Sequence, residues 1–238
     1  MKPIWLFDLD NTLHDAGRAV FWRLNGSMTE YIAEHLGVPA EEADRLRVHY
    51  WRRYGATLLG LERHHGIRAA HFLAQTHVLP GLEGQLYMPP ADRAALQRLP
   101  GCKFLLTNAP ADYAKRVLTA LDLASCFEGV IAIEAMRVFG DLRPKPDVRM
   151  LKVVLARHKL PAHRCVLVED TVANLKSARR LGLRTVWMQH YLRGAGHGPE
   201  AGMRLHGRPS AVCVRIKAIR TLHAWRFLPR VPACPSSQ

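Results

Sequence analysis

Short apolar runs separated by helical patterns constrain this chain most. Pro3 to Phe7, Lys103 to Leu106, Gly129 to Ile133, Cys165 to Val168 and Thr185 to Met188 read as strands. From residue 80 onward they alternate with helix-periodic segments, the signature of a parallel sheet covered by helices. Tyr113, Val117 and Leu121, with Ala114 and Leu118 beside them, make one helix face. Val148, Leu151, Val154 and Leu155 make a second, and a third helix spans Val172 to Leu181 with its stop at Gly182.

Residues 16–79 carry no convincing strand. Phe21, Leu24, Met28, Tyr31, Ile32 and Leu36 recur at helical spacing and are closed by Gly37. A connection of roughly 60 residues is too long for an ordinary loop. The expected fold is therefore α/β: a Rossmann-like parallel sheet flanked by helices, with an inserted α-helical cap. Residues 1–15 and 80–223 would form the core, 16–79 the cap and 224–238 a mobile tail. Leu192 to Pro209 reads as a Gly- and Pro-bearing loop. Within it, Gly194-Ala195-Gly196-His197-Gly198 is followed by Pro199 and does not make a dinucleotide loop. Ala211 to Val214 reads as a short edge strand leading into a helix through Leu222.

Composition narrows the function classes. The 238 residues, 48% of them apolar, fit one domain with a modest insertion. No apolar stretch reaches the roughly 18 residues of a membrane span. Asp8 interrupts the first run too early for a secretory signal, so a cytoplasmic location is expected. The five cysteines include no C-x-x-C pair and suggest neither disulfides nor a thiolate metal site. Cys102 and Cys165, each opening an apolar run, are expected as small buried hydrophobes. The 34 basic residues exceed the 20 acidic ones by 14. They are scattered, with no nucleic-acid-binding motif, so the charge fits attraction of a small anionic substrate better than nucleic-acid binding.

Chemistry collects where the runs end. Asp8 and Asp10 follow the first run, Thr107 and Asn108 the second, and Glu169 and Asp170 the fourth; Lys145, between Pro144 and Pro146, precedes a helix. Residues two apart in an extended chain project to one side, and the loops after parallel strands converge on one edge. One edge would then hold four acids, a hydroxyl, an amide and an ammonium. That inventory suits phosphoryl transfer, with Mg²⁺ on the oxygens of Asp8, Asp170 and a backbone carbonyl. Lys145 would balance charge and hold a phosphate oxygen, and Thr107 another. Taken singly, each group has a plainer reading as a turn, a helix cap or a solvated loop residue.

These motifs resemble the haloacid dehalogenase-like superfamily of phosphatases. The matching segments are Phe7-Asp8-Leu9-Asp10-Asn11-Thr12-Leu13, Leu105-Leu106-Thr107-Asn108, Pro144-Lys145-Pro146 and Val168-Glu169-Asp170-Thr171, then Asn174 and Ala178. The resemblance implies a central first strand, a nucleophilic Asp8, an acid/base Asp10, phosphate-binding Thr107 and Asn108, and a charge-neutralising Lys145. It also implies magnesium on Asp8, the Asp10 carbonyl and Asp170, with Glu169 binding directly or through water. The two acids need different protonation states, which metal contact at Asp8 and a drier setting for Asp10 would supply.

The insertion bears Tyr50-Trp51-Arg52-Arg53-Tyr54-Gly55-Ala56-Thr57-Leu58-Leu59-Gly60-Leu61. Tyr50, Tyr54, Gly55 and Thr57 are candidates for stacking and hydrogen-bonding a flat ring, against the plainer reading of a packed helix and turn. His64 and His65 point about 100° apart on a helix and are expected on the surface, while His14 is expected to pack or position. With Leu13-His14-Asp15-Ala16 and Thr107-Asn108-Ala109-Pro110, residues Tyr54 to Leu61 resemble the pyrimidine 5′-nucleotidase branch, which implies a nucleoside monophosphate such as UMP or CMP as substrate. Rival readings are a phosphoglycolate or sugar-phosphate phosphatase and a noncatalytic anion- or nucleic-acid-binding protein. The sequence sets no oligomeric state.

Overall fold

The computed structural model describes residues 2–191 and 209–222. Six strands run parallel: β1 (Ile4–Phe7), β2 (Cys102–Leu106), β3 (Gly129–Ile131), β6 (Cys165–Glu169), β7 (Arg184–Met188) and β8 (Val214–Ile216). Their order is β3-β2-β1-β6-β7-β8, so the first strand lies inside the sheet, between β2 and β6. β4 (Arg137–Val138) and β5 (Asp141–Leu142) form a separate antiparallel hairpin. Two residues per strand gave that hairpin too little pattern to be anticipated.

The pleat explains why β1 is apolar at every position. Trp5 and Phe7 point into one core with Leu105, Val166 and Val186, while Ile4 and Leu6 point into another with Leu106 and Leu167. Helix α7 (Ala111–Ala120) covers the first face through Tyr113, Ala114, Val117 and Leu118. Helices α8 (Val148–Arg157) and α9 (Val172–Arg180) cover the second through Met150, Leu151, Leu175 and Ala178. Truncating a fully buried Phe7 to Ala should cost about 3–5 kcal/mol.

Five helices lie between β1 and β2, ahead of α6 (Pro90–Arg98): α1 (Ala16–Ala19), α2 (Phe21–Leu36), α3 (Ala40–Tyr54), α4 (Thr57–His65) and α5 (Ala69–Thr76). The last four share their own apolar cluster, centred on Tyr31, Ile32, Tyr50, Leu61 and Phe72 and touching the rest through Ile133 and Leu142. Gly37 ends α2 in the left-handed region, as its position predicted. Gly60 is needed for a different reason. A Cβ there would lie 2.1 Å from the Tyr50 ring, so only glycine lets α3 and α4 cross this closely.

Two expectations are corrected. Cys102 is exposed at the first position of β2, where the strand's buried pattern has not yet begun; Cys165 is buried as expected. The edge strand falls at Val214–Ile216 and a single tight turn, not a regular helix, reaches Leu222. The segment 192–208, with its glycine run, and the tail 224–238 lie outside the described residues. No helix among the described residues is long and apolar enough to cross a membrane.

Candidate active site

Parallel register brings the strand ends to one edge. The Asp8 N–H donates to the Val168 carbonyl at 3.0 Å, and the Thr107 N–H to the Ile131 carbonyl at 3.0 Å. Beyond those ladder bonds the chains leave the sheet, and their side chains meet. The Lys145 ammonium donates to Asp8 Oδ1 at 2.6 Å, Glu169 Oε2 at 2.8 Å and the Leu106 carbonyl at 2.8 Å. Its three N–H bonds are thereby satisfied. The Thr12 hydroxyl donates to Asp8 Oδ2 at 3.2 Å, leaving a buried nucleophile candidate with both oxygens oriented.

Lys145 sits 137 residues from Asp8, and its backbone is fixed by Asn108. The Asn108 amide donates to the Lys145 carbonyl at 3.0 Å, and its carbonyl oxygen accepts the Lys145 N–H at 2.9 Å. Ser177 adds a hydrogen bond to the Pro146 carbonyl. Thr107, also expected at the site, is buried, and its Oγ1 accepts the Ala109 N–H at 3.0 Å. Glu169 Oε1 accepts the Thr171 N–H at 3.2 Å, so both of its oxygens are engaged. Asp170 receives the Thr171 hydroxyl at 3.2 Å, and its carbonyl receives the Trp187 indole N–H at 2.7 Å.

Asp10 stands in a different setting. Its Oδ1 accepts Tyr113 O–H at 2.7 Å and lies 3.1 Å from His14 Nε2. Tyr113 was legible only as part of a helix face. A buried tyrosine whose hydroxyl needs a partner was the available signal. His77 packs edge-on to the Tyr113 ring, with centroids 5.7 Å apart.

The electrostatics of the two acids diverge. Burial pushes Asp8 up to about 7, Glu169 adds to the rise, and Lys145 offsets only part of it. Asp170 is held well above the usual carboxylate range by burial and then by the charges of Glu169 and Asp8. Burial also pushes Asp10 upward, but the His14 contact and the Tyr113 hydrogen bond outweigh it and leave Asp10 below its ordinary value. The drier setting expected to keep Asp10 protonated is present and is overridden by these donors. Burial disfavours the Lys145 ammonium, and the charges of Asp8 and Glu169 reverse that and raise its pKa.

The donor set fits a divalent cation. Asp8, Glu169 and Asp170 offer oxygens all within 4.8 Å of one another. Three carboxylates against the one ammonium of Lys145 leave a formal surplus of two negative charges in a buried place. All the candidate ligands are hard oxygens, which magnesium prefers.

A cleft of about 770 Å³ opens beside Lys145, between the α3–α4 corner and the β4–β5 hairpin. Tyr54 and Arg63 line one side, and Arg137 and Arg143 the other. Among the substrate candidates, Tyr54 thus faces the cleft, and the Arg63 guanidinium lies 5.9 Å from its ring centroid. Gly55 caps α3 at a φ of 84°. Tyr50 and Thr57 are buried, with the Thr57 hydroxyl donating to the Arg47 carbonyl at 3.0 Å. His64 and His65 are exposed and serve separate partners. His64 meets the Tyr54 hydroxyl and His65 the Tyr50 hydroxyl, each at 2.6 Å.

This fold has recognisable relatives. The chain belongs to the haloacid dehalogenase-like hydrolase family, whose model matches residues 4–182. It is 25% identical over 193 residues to Phosphate metabolism protein 8 of Saccharomyces cerevisiae, a match covering 76% of this chain and 60% of the yeast protein. The chain therefore spans about three fifths of that curated relative's length. Among solved structures, the HAD phosphatase from Thermococcus onnurineus superposes with a TM-score of 0.61 at 16% identity, covering 97% of this chain and 100% of the other. YfnB from Bacillus subtilis, bound to magnesium, gives 0.56 at 17% identity over 94% and 99%. At these identities the likeness is one of fold.

Proposed function

We propose that the chain is a Mg²⁺-dependent phosphomonoester hydrolase working through an aspartyl phosphate, with pyrimidine nucleoside 5′-monophosphates such as UMP and CMP as substrates. The observation that carries the reaction type is the grouping of buried Asp8 and Glu169 on the Lys145 ammonium with half-buried Asp170 beside them. Helices α2–α5 would act as the cap that selects the leaving group, and the names of the yeast and Bacillus relatives are consistent with phosphate chemistry and magnesium.

In this mechanism an Asp8 oxygen attacks phosphorus while Lys145 and Thr12 hold its carboxylate in line. Asp8, Asp170 and the Asp10 carbonyl would hold Mg²⁺, which when bound supplies positive charge to the phosphoryl oxygens. Asp10, which must first take up a proton against the pull of Tyr113 and His14, gives it to the departing 5′ oxygen and later takes a proton from the water that cleaves the aspartyl phosphate. Thr107 already accepts a hydrogen bond through Oγ1, so its own O–H is left to donate to a phosphate oxygen. Asn108 clamps the Lys145 backbone, and because all three Lys145 N–H bonds are taken, that ammonium would act on the phosphate through its charge and not by the hydrogen bond expected from the sequence. Glu169 holds Lys145 in place and would bind the metal directly or through water.

Tyr54 supports the nucleotide reading, since an aromatic ring flanked by arginines at the cleft suits a flat base carrying an anion nearby. The test is phosphate release from UMP, CMP, dUMP, AMP, phosphoglycolate and a sugar phosphate, with and without Mg²⁺. Preference for UMP or CMP is expected. Faster turnover of phosphoglycolate or the sugar phosphate would overturn the substrate, and no release from any ester would overturn the reaction.

A further inference from the structure

We infer that His14 and Tyr113 are positioning residues that commit one oxygen of Asp10 to binding and reserve the other for proton transfer. The inference rests on the phosphomonoesterase reading and concerns the machinery around its acid/base group.

The two contacts converge from different parts of the chain onto the same atom. Tyr113 O–H donates to Asp10 Oδ1 at 2.7 Å from α7, and His14 Nε2 approaches it at 3.1 Å from four residues further along Asp10's own loop. Among the described residues, no donor reaches Oδ2. His14 is fully buried, and its Nδ1 has no hydrogen-bond partner. A proton on Nδ1 would be buried without an acceptor, so the ring places its proton on Nε2, facing Asp10. The Tyr113 ring is 2% exposed, and His77 packs edge-on against it.

Once Asp10 takes up a proton, two donors on Oδ1 leave Oδ2 as the oxygen that carries it. As the Asp8–phosphorus bond forms and the phosphorus–oxygen bond to the alcohol breaks, the Oδ2 proton passes to the departing oxygen. Asp10 is left as a carboxylate. The negative charge appearing on it meets donors already in place, so both contacts strengthen as the transfer proceeds. In the second step the same oxygen accepts the proton of the attacking water, and the acid form is restored.

The consequence is a dependence on the leaving group. An alkoxide, such as a nucleoside 5′ oxygen, needs the proton as it departs, whereas p-nitrophenolate leaves without one. The experiment measures alcohol release in the first turnover from UMP and from p-nitrophenyl phosphate, using the wild type, Tyr113→Phe and His14→Gln. Tyr113→Phe keeps the buried ring and removes only the hydroxyl. First-turnover release from UMP should fall roughly 10-fold or more in each variant, part of the 10²- to 10⁴-fold attributable to general acid catalysis. Release from p-nitrophenyl phosphate should change less than about 3-fold, a difference that simple loss of folded protein would not produce.

Equal falls on both esters, or no fall on UMP, would overturn the positioning role while leaving the phosphatase reading intact. A wild type that releases neither alcohol overturns that reading, and this inference with it.

Discussion

The sheet edge and the helical insertion use similar residues to opposite ends. At the edge, charged groups are buried and bound to one another: Lys145 satisfies all its donors on Asp8, Glu169 and a carbonyl, and Asn108 fixes its backbone. In α3 and α4, by contrast, Tyr50 and Tyr54 bond exposed histidines, and Arg63 lines an open cleft. Buried charge pairs tolerate little change, because removing one partner strands the other. Exposed pairs are worth little and can be rearranged. One region therefore holds a single constellation, whereas the other can be rearranged without disturbing it.

The largest effect that would test this contrast is Asp8→Asn, expected to abolish phosphate release by removing the nucleophile, with the fold retained by circular dichroism. Measurable turnover at the wild-type rate would end the claim that the edge performs the reaction.

Lys145→Ala comes next. Leaving Asp8 and Glu169 buried without their ammonium should destabilise the protein by about 3–5 kcal/mol in denaturant titration, with Mg²⁺ recovering part of the loss. An unchanged midpoint would mean that this ion pair is no more demanding than those on the insertion.

His77 lies at the seam and gives a pH-dependent test. Burial pushes it down to about 4 from 6.5, so the folded state resists its protonation. Its contribution to stability is present above pH 6.5 and is lost as the pH falls towards 4. Asp8 has the opposite sign. Raised from 3.8 to about 7, it favours the folded state at low pH, and that contribution is lost as the pH rises through this window. The two slopes oppose each other between about pH 4 and 6.5. His77→Asn should expose the Asp8 trend, so that stability falls more steeply with rising pH by about one proton's worth of slope. Parallel profiles for variant and wild type, from urea midpoints across pH 4–7, would exclude a neutral His77 in the folded state.

Tyr54→Ala should have the smallest effect: a rise in KM for UMP of about 3- to 10-fold, the order of one modest stacking contact, with kcat little changed. Should kcat fall equally for UMP and for phosphoglycolate, the cleft residue would belong to the chemistry and the contrast between the regions would fail.

Much of this was legible before any coordinates. The strands at Ile4–Phe7, Cys102–Leu106, Cys165–Glu169 and Arg184–Met188 fall where apolar runs placed them, because a buried parallel strand is apolar on both faces. The β4–β5 hairpin and the exposure of Cys102 were not legible, since neither is set by a local repeat. At the site, Asp8, Lys145, Glu169 and Asp170 could be gathered by topology alone. That Asn108 grips Lys145 required the fold, because the two are 37 residues apart. Tyr113 gave only a helix-face signal, and its hydroxyl finds Asp10 across 103 residues.

The sequence by itself determined the α/β class, the helical insertion and the strand ends where chemistry gathers. These follow from periodicities of two and 3.6 residues and from loops that must leave a parallel sheet at one edge. Only the tertiary structure decided how the acids differ. Asp8 shares a buried cation with Glu169, whereas Asp10, two residues on, meets Tyr113 and His14. Such differences arise from burial and from partners brought close by folding, and neither is encoded in the spacing of the residues themselves.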